Sequence, residues 1–140
     1  MMTLLINIAE KPSDADYEAI FKPLHAYNVH SAGDPCIRPV ALLLTDELSN
    51  HVGGLWGQCA YDWLFIELLA VPAEHRGRGY GTALMAQAED IARSGGCIGI
   101  WLDTYEFQAS GFYEKLGFEI FGTLGDHPVG QKRFFLRKRF

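Results

Sequence analysis

The alternation of apolar and polar positions changes period several times along the chain, and each change predicts an element. Residues 3–9 (TLLINIA) are apolar and β-branched enough to predict a first strand. Ser13-Asp14-Ala15-Asp16 then has the features of a helix start, with Ser13 as N-cap and acids in the first turn. Tyr17, Ile20, Phe21, Leu24 and Tyr27 recur on one helical face. Pro23 lies inside that run; it lacks an N–H and clashes one turn back, which predicts a kink or a restart. Residues 39–45 and 51–61 predict a hairpin around the turn at 46–50, and Gly53, Gly54 and Gly57 in its second arm mark a bulge or a close backbone approach. Residues 63–71 (WLFIELLAV) form the most apolar run, which predicts a central strand buried on both faces, with Glu67 its single charge and Pro72 its stop. Leu84, Ala88, Ile91 and Ala92 predict an amphipathic helix ended by Gly95-Gly96. Residues 97–103 read as another buried strand. Ala109, Phe112, Tyr113 and Leu116 read as a helix stopped by Gly117, and residues 118–124 and 132–139 as the last two strands.

The order is β-α-β-β-β-α-β-α-β-β, an α/β chain of the α+β type. Strand and helix alternate in the second half, which predicts parallel pairing there, and the hairpins elsewhere make the sheet mixed. The 140 residues suit one domain over 1–140. At 49% hydrophobic and 21% charged, disorder is excluded.

The net charge of −5 argues against a nucleic-acid binder. The charge is uneven. Residues 132–140 (KRFFLRKRF) hold five of the twelve basic residues and no acid, leaving −10 on the rest. We read this tail as a terminal strand whose charges face water and guard a sheet edge, with an anion- or partner-binding tail as the other reading. No apolar stretch is long enough to cross a bilayer, and the first residues lack the basic start of a signal peptide. Cys36, Cys59 and Cys97 are odd in number and far apart, which predicts reduced thiols in a cytoplasmic protein. The five histidines show neither HxxxH nor HExxH spacing, so no metal site is predicted.

The segment from Val71 to Thr82 is the most informative. A buried strand feeds a glycine-rich turn that opens a helix, and helix N-termini present unpaired N–H groups to anions. Arg76 and Arg78 add forked donors. The chain has no Gly-Lys-Ser/Thr for a P-loop, and Gly77-x-Gly79-x-Gly81 has the wrong spacing for a dinucleotide fingerprint. Arg76-x-x-Gly79-x-Gly81 after Leu69-Ala70-Val71 instead resembles the acetyl-CoA pyrophosphate loop of the GNAT superfamily of N-acetyltransferases. Ala109-x-x-Phe112-Tyr113-Glu114-Lys115-Leu116-Gly117-Phe118 is similar to the A-x-x-(L/F)-Y-x-x-x-G-F segment on that family's last helix. The resemblance covers the whole chain, weakly before residue 51 and strongly over 63–118. Asp126-His127-Pro128-x-Gly130, with residues 104–109, resembles a small bacterial subgroup of the family.

The resemblance implies a GNAT-like, mostly antiparallel sheet of about 6–7 strands with about 3–4 helices. It also implies acetyl transfer from acetyl-CoA to a primary amine by direct attack on the thioester. The N–H groups of Gly77, Gly79, Tyr80, Gly81 and Thr82, with Arg76 and Arg78, would hold the pyrophosphate. Leu69, Ala70 and Val71 would pair with the pantetheine where the sheet splays, and Phe112 and Lys115 would border the cofactor. Where many members carry an Asn, this chain has Glu106, so Gln108 is expected to make that pantetheine contact. Tyr113 matches the family tyrosine that protonates the departing thiolate. Glu67 or Asp103, through water, would be the base, since a charge in a buried strand is costly unless used and sites collect at strand ends. Tyr27, Asn28 and His127 are candidate contacts to a small-molecule or peptide amine. A homodimer is compatible with this reading, and a sensor that binds acyl-CoA without turnover is the alternative.

Overall fold

The computed structural model describes residues 2–140. They fall into two compact units that meet at Pro35/Cys36.

The first unit holds helix α1 (Asp14–Ala32). The Ser13 hydroxyl accepts the Asp16 N–H at 3.2 Å, and the Asp16 carboxylate accepts the Ser13 N–H at 3.0 Å. This reciprocal capping satisfies two N–H groups at the helix start. Tyr17, Phe21 and His25 stack one turn apart, with centroids at 5.9 and 5.2 Å. The predicted restart at Pro23 does not occur; α1 runs through it unbroken, because a single proline removes only one donor from the ladder. Residues 3–9 form no strand. A strand needs a neighbour for its N–H and C=O groups, and this unit contains no second strand.

The second unit is a six-stranded sheet ordered β1-β2-β3-β4-β6-β5. Its strands are β1 (Arg38–Thr45), β2 (His51–Ala60), β3 (Trp63–Ala70), β4 (Gly99–Tyr105), β5 (Glu119–Gly125) and β6 (Lys132–Arg139). Helix α2 (Tyr80–Ser94) joins β3 to β4, and α3 (Ser110–Lys115) joins β4 to β5. Only β3 and β4 pair in parallel; every other pair is antiparallel. The second strand-helix-strand run therefore does not add a parallel neighbour, because β6 inserts between β4 and β5.

That insertion also corrects the reading of the basic tail. β6 is an interior strand with both ladders engaged, by β4 and by β5, so it neither guards an edge nor is open to a second copy. The edges are β1 and β5. Several of the tail's charges are paired: Arg133 with Asp103, Arg137 with Glu119 and Lys138 with Glu89.

The core lies between the sheet and α2. Leu64 and Ile66 of β3, Ile100 and Leu102 of β4, and Leu136 of β6 are buried, as are Leu84, Met85, Ala88 and Ala92 of α2. Each such large side chain contributes about 1.5–3 kcal/mol by leaving water. Cys59 and Cys97 are buried too, and no disulfide joins the three cysteines. Burial, reinforced by a hydrogen bond with Cys59, pushes the Cys97 thiol up to about 11. The thiolate is the reactive form, so a thiol-disulfide reagent on the native protein at neutral pH should titrate exposed Cys36 quickly. Cys59 and Cys97 should react only after denaturation, and three fast thiols in the native protein would contradict this packing.

Candidate active site

Helix α2 begins where β3 ends, and the connection is built from strand, turn and glycine. After Val71 and Pro72, residues Ala73–His75 make one 3-10 turn. Gly77 and Gly79 then take φ of +77° and +85°, left-handed values that cost a residue with a Cβ about 1–2 kcal/mol. Gly79 is the N-cap of α2, with no side-chain cap and no acid in the first turn. The first N–H groups of α2 thus have no intrahelical partner. A Cβ at Gly77 or Gly79 would meet no atom within 4 Å, whereas one at Gly81 would lie 3.2 Å from the Phe112 ring. There is open space beside Gly77 and Gly79, and Phe112 closes the loop at Gly81.

Beside this loop is a cavity of about 960 Å³, near the upper end of ligand-site volumes. It exists because β3 and β4 separate. Their pairing runs from Trp63/Gly99 to Ile66/Leu102 and stops, leaving residues 67–70 and 103–105 on opposite walls. A bulge assists the separation. Trp56 faces Leu68 and Gly57 faces Ile66, so Glu67 is the extra residue on β3. A bulge bends a strand and re-aims its side chain. The glycines of β2 permit it: a Cβ at Gly57 would sit 2.5 Å from the Phe65 carbonyl oxygen, and one at Gly53 2.5 Å from that of Ala70.

Of the residues singled out in the sequence, Glu67, Leu69, Ala70, Val71, Arg76, Gly77, Gly79, Tyr80, Gly81 and Thr82 line this cavity. So do Asp103, Gln108, Phe112 and Tyr113 from the other side. Arg78 and Lys115 are not among the lining residues. Tyr27 and Asn28 lie on α1 in the first unit, and His127 lies in the β5–β6 loop. Arg76 is partly committed, since its Nε donates to the Val71 carbonyl at 3.0 Å and fastens the loop to the strand end.

The idea that β3 is buried on both faces is corrected. Glu67 is exposed and Leu68 is 60% exposed, because β4 has moved away there. The costly-buried-charge argument for Glu67 therefore falls. What remains is a carboxylate on the cavity wall that forms no ion pair among the described residues. Asp103 is differently placed: Arg133 donates to the same carboxylate oxygen from Nε at 2.9 Å and from Nη2 at 2.6 Å.

Tyr113 sits on α3, buried at 9% exposure, between the rings of Phe112 and Phe118. Burial pushes its phenol above the ordinary value, and the Asp103 carboxylate adds to the shift. A phenol in this position keeps its proton at neutral pH and is a donor. Gln108 Oε1 accepts from the Thr104 hydroxyl at 3.0 Å and the Tyr105 N–H at 2.8 Å, which holds the β4–α3 loop. Glu106 is taken up structurally, accepting the Lys132 N–H at 2.8 Å.

The comparisons with known proteins bear on this arrangement. The model of the acetyltransferase (GNAT) family matches residues 5–118. The chain belongs to the GNAT acetyltransferase family. An acetyltransferase of Agrobacterium fabrum is 40% identical over 91% of this chain and 94% of its own length. The blasticidin-S acetyltransferase of Streptomyces morookaense is 36% identical over 78% and 71%. Among solved structures, one assigned as an acetyltransferase from Agrobacterium tumefaciens superposes with a TM-score of 0.88 at 37% identity, covering all of both chains. Another, assigned as a streptothricin acetyltransferase from Bacillus anthracis and holding acetyl coenzyme A, matches at TM-score 0.65 and 25% identity over 73% of this chain and 62% of its own.

As a GNAT acetyltransferase, the protein uses acetyl-CoA, and the residues present fit that ligand. The uncapped α2 N-terminus and the open Gly77–Gly79 turn suit the pyrophosphate. The slot between β3 and β4 offers strand backbone that pairs with nothing on its β4 side. His75, Phe107 and Thr104 also line the cavity and escaped the sequence reading. His75 and Phe107 stand within or beside the matched motifs, and their types gave no distinctive signal. The Arg133 clamp on Asp103 spans 30 positions, and no local pattern records it.

Proposed function

We propose that this GNAT acetyltransferase moves an acetyl group to a primary amine by direct attack on the thioester, with Tyr113 as general acid and Glu67 as base. The observation that carries the reading is the shared cavity. A buried, protonated phenol and an exposed carboxylate without an ion pair face one slot, where two parallel strands part above a phosphate-type helix N-terminus. Acetyl-CoA, when bound, supplies the acetyl thioester.

The chain's own groups do the rest. The N–H groups that open α2 hold the anionic end. The unpaired backbone of residues 68–70 orients the extended part, and an N–H there can meet the charge that grows on the carbonyl oxygen. Glu67 takes the amine proton, directly or through one water. An amine with an ordinary pKa near 10.4 is neutral in only about one molecule in 10³ at pH 7, so this step is worth about 4–5 kcal/mol to the reaction. Tyr113 Oη returns a proton to the leaving sulfur. Asp103 is better placed to hold Arg133, and with it the β4–β6 frame, than to accept a proton. We read both units as parts of one acetyltransferase domain, since the family model spans their boundary. The same reading places the protein in the cytoplasm. A dimer through edge strand β1 or β5 is compatible with it.

Thermal unfolding with and without acetyl-CoA tests the first step. Ligand at about 100 times its Kd should add about 2.7 kcal/mol of stability, seen as a raised Tm. CoA release against a panel of primary amines tests the second. Stabilisation without turnover on any amine would turn the reading into a sensor; no stabilisation by any CoA species would remove it. Glu67→Gln should lower kcat/KM by about 10- to 10²-fold at neutral pH. The deficit should shrink as pH rises, because the amine then loses its proton to bulk water. A deficit of equal size at all pH values would mean that Glu67 is not the base.

A further inference from the structure

Phe107 lines the active-site cavity with 60% of its surface exposed, more than any other Phe, Tyr or Trp of the second unit. The acetyl-transfer chemistry proposed above has no use for it. Its ring is nevertheless built in. It stacks on Tyr105 at 5.1 Å between centroids and 7° between planes. Tyr105 is fixed in turn. The Arg133 guanidinium lies 5.2 Å over its ring, the His127 ring meets it edge-on at 5.3 Å, and its N–H donates to Gln108. Arg133 is itself held by Asp103. Phe107 is therefore the open face of a braced two-ring platform, in the same cavity as Glu67, Asp103 and Tyr113.

We infer that the acetyl acceptor is an amine of ordinary basicity that carries, through an alkyl link, a flat aryl or heteroaryl ring able to stack on Phe107, rather than an amino sugar or a plain alkyl amine. The inference rests on the acetyl-transfer reading and adds the substrate class. Three physical points carry it. A pre-stacked ring loses little freedom when a third ring adds to it, so more of the contact energy appears as affinity. Aromatic pairs gain beyond their buried area when offset-stacked. A sugar can lay only a C–H face on Phe107, and the hydroxyls around that face need hydrogen-bond partners that the ring does not supply. The Glu67 carboxylate in the same cavity, which forms no ion pair among the described residues, suits the ammonium form in which such an amine arrives.

The test measures binding and turnover separately, using 2-phenylethylamine, n-hexylamine and glucosamine with the whole 140-residue chain. Binding is read by calorimetry on the CoA-loaded protein, so it does not depend on turnover. The wild type should bind 2-phenylethylamine about tenfold more tightly than n-hexylamine, which has similar apolar bulk. Glucosamine should bind more weakly than either. Phe107→Ala should bring the ratio of the first two to within about twofold, while acetyl-CoA affinity stays at the wild-type value. Phe107→Trp should keep the preference. Phe107→Leu holds the loop's apolar bulk if the alanine variant folds poorly, and it too should lose the ring preference. Equal binding of the two amines by the wild type would overturn the inference. So would a Phe107→Ala variant whose main defect is in acetyl-CoA binding. Ring-dependent binding with no turnover of any amine would instead sink the acetyl-transfer reading and leave the platform standing.

Discussion

Tyr113→Phe should lower turnover by about 10²-fold while acetyl-CoA affinity stays within about twofold of wild type. The substitution removes one hydroxyl from a ring that is otherwise packed between Phe112 and Phe118, so the ring and its packing are kept. On the proposed mechanism, what is lost is the proton that Oη holds. Burial and the nearby Asp103 carboxylate both raise the Tyr113 phenol, which keeps that proton in place through neutral pH and moves the alkaline fall of activity above the ordinary tyrosine value of about 10. The same shift has a stability consequence. A raised folded-state value means that the folded protein binds the proton more tightly than the unfolded chain does. The associated stability is complete below about pH 10 and is lost as pH rises through the folded value. In Tyr113→Phe that part of the alkaline destabilisation should vanish. Pre-steady-state CoA release against pH, with equilibrium unfolding between neutral pH and pH 11, measures both. Wild-type turnover in Tyr113→Phe would remove the acid role.

The second large effect is structural. Gly54→Ala should destabilise the fold by about 3 kcal/mol or more, since it combines a strained backbone with a main-chain clash. Gly54 has φ of +141°, and a Cβ there would overlap the Leu42 carbonyl oxygen on β1. Backbone cannot swing aside as a side chain can, so β1 and β2 must separate. For a chain of this size, each kcal/mol lowers Tm by about 3–4 °C, giving a fall of about 10 °C. Urea unfolding should show a lower midpoint with an unchanged slope. Gly54 pairs with Ala70 at the cavity end of β3, so acetyl-CoA affinity should fall as well. A variant with wild-type stability and affinity would show that the strand tolerates a side chain there.

Much of this site is legible in the chain. The Leu69-Ala70-Val71 strand end, the Arg76-x-x-Gly79-x-Gly81 turn and the Tyr113 helix are local patterns, each set by short-range geometry, and each stands where it was expected. The three β2 glycines marked a bulge or a close backbone approach; the close approach occurs at Gly53, Gly54 and Gly57, and the bulge beside Gly57 has its extra residue on β3. What local pattern did not carry was neighbourhood. Residues 132–139 read correctly as a strand and wrongly as an edge, because periodicity reports which face is apolar and says nothing about what lies on either side. Residues 3–9 have strand composition without a strand, since a ladder needs a partner.

The sequence by itself determined most of the elements, the family and the chemistry on offer: a glycine turn suited to an anion, a tyrosine hydroxyl and two carboxylates. These depend on residue type and on spacings of a few positions, which φ/ψ preference and helix geometry fix locally. Only the tertiary structure tells the two carboxylates apart. Arg133, thirty positions from Asp103, occupies one of them, and the parting of β3 from β4 exposes the other. It also set Phe107 against Tyr105 at the cavity wall. These outcomes are contacts between residues distant in the chain, and they exist only once burial of the core has brought the strands together.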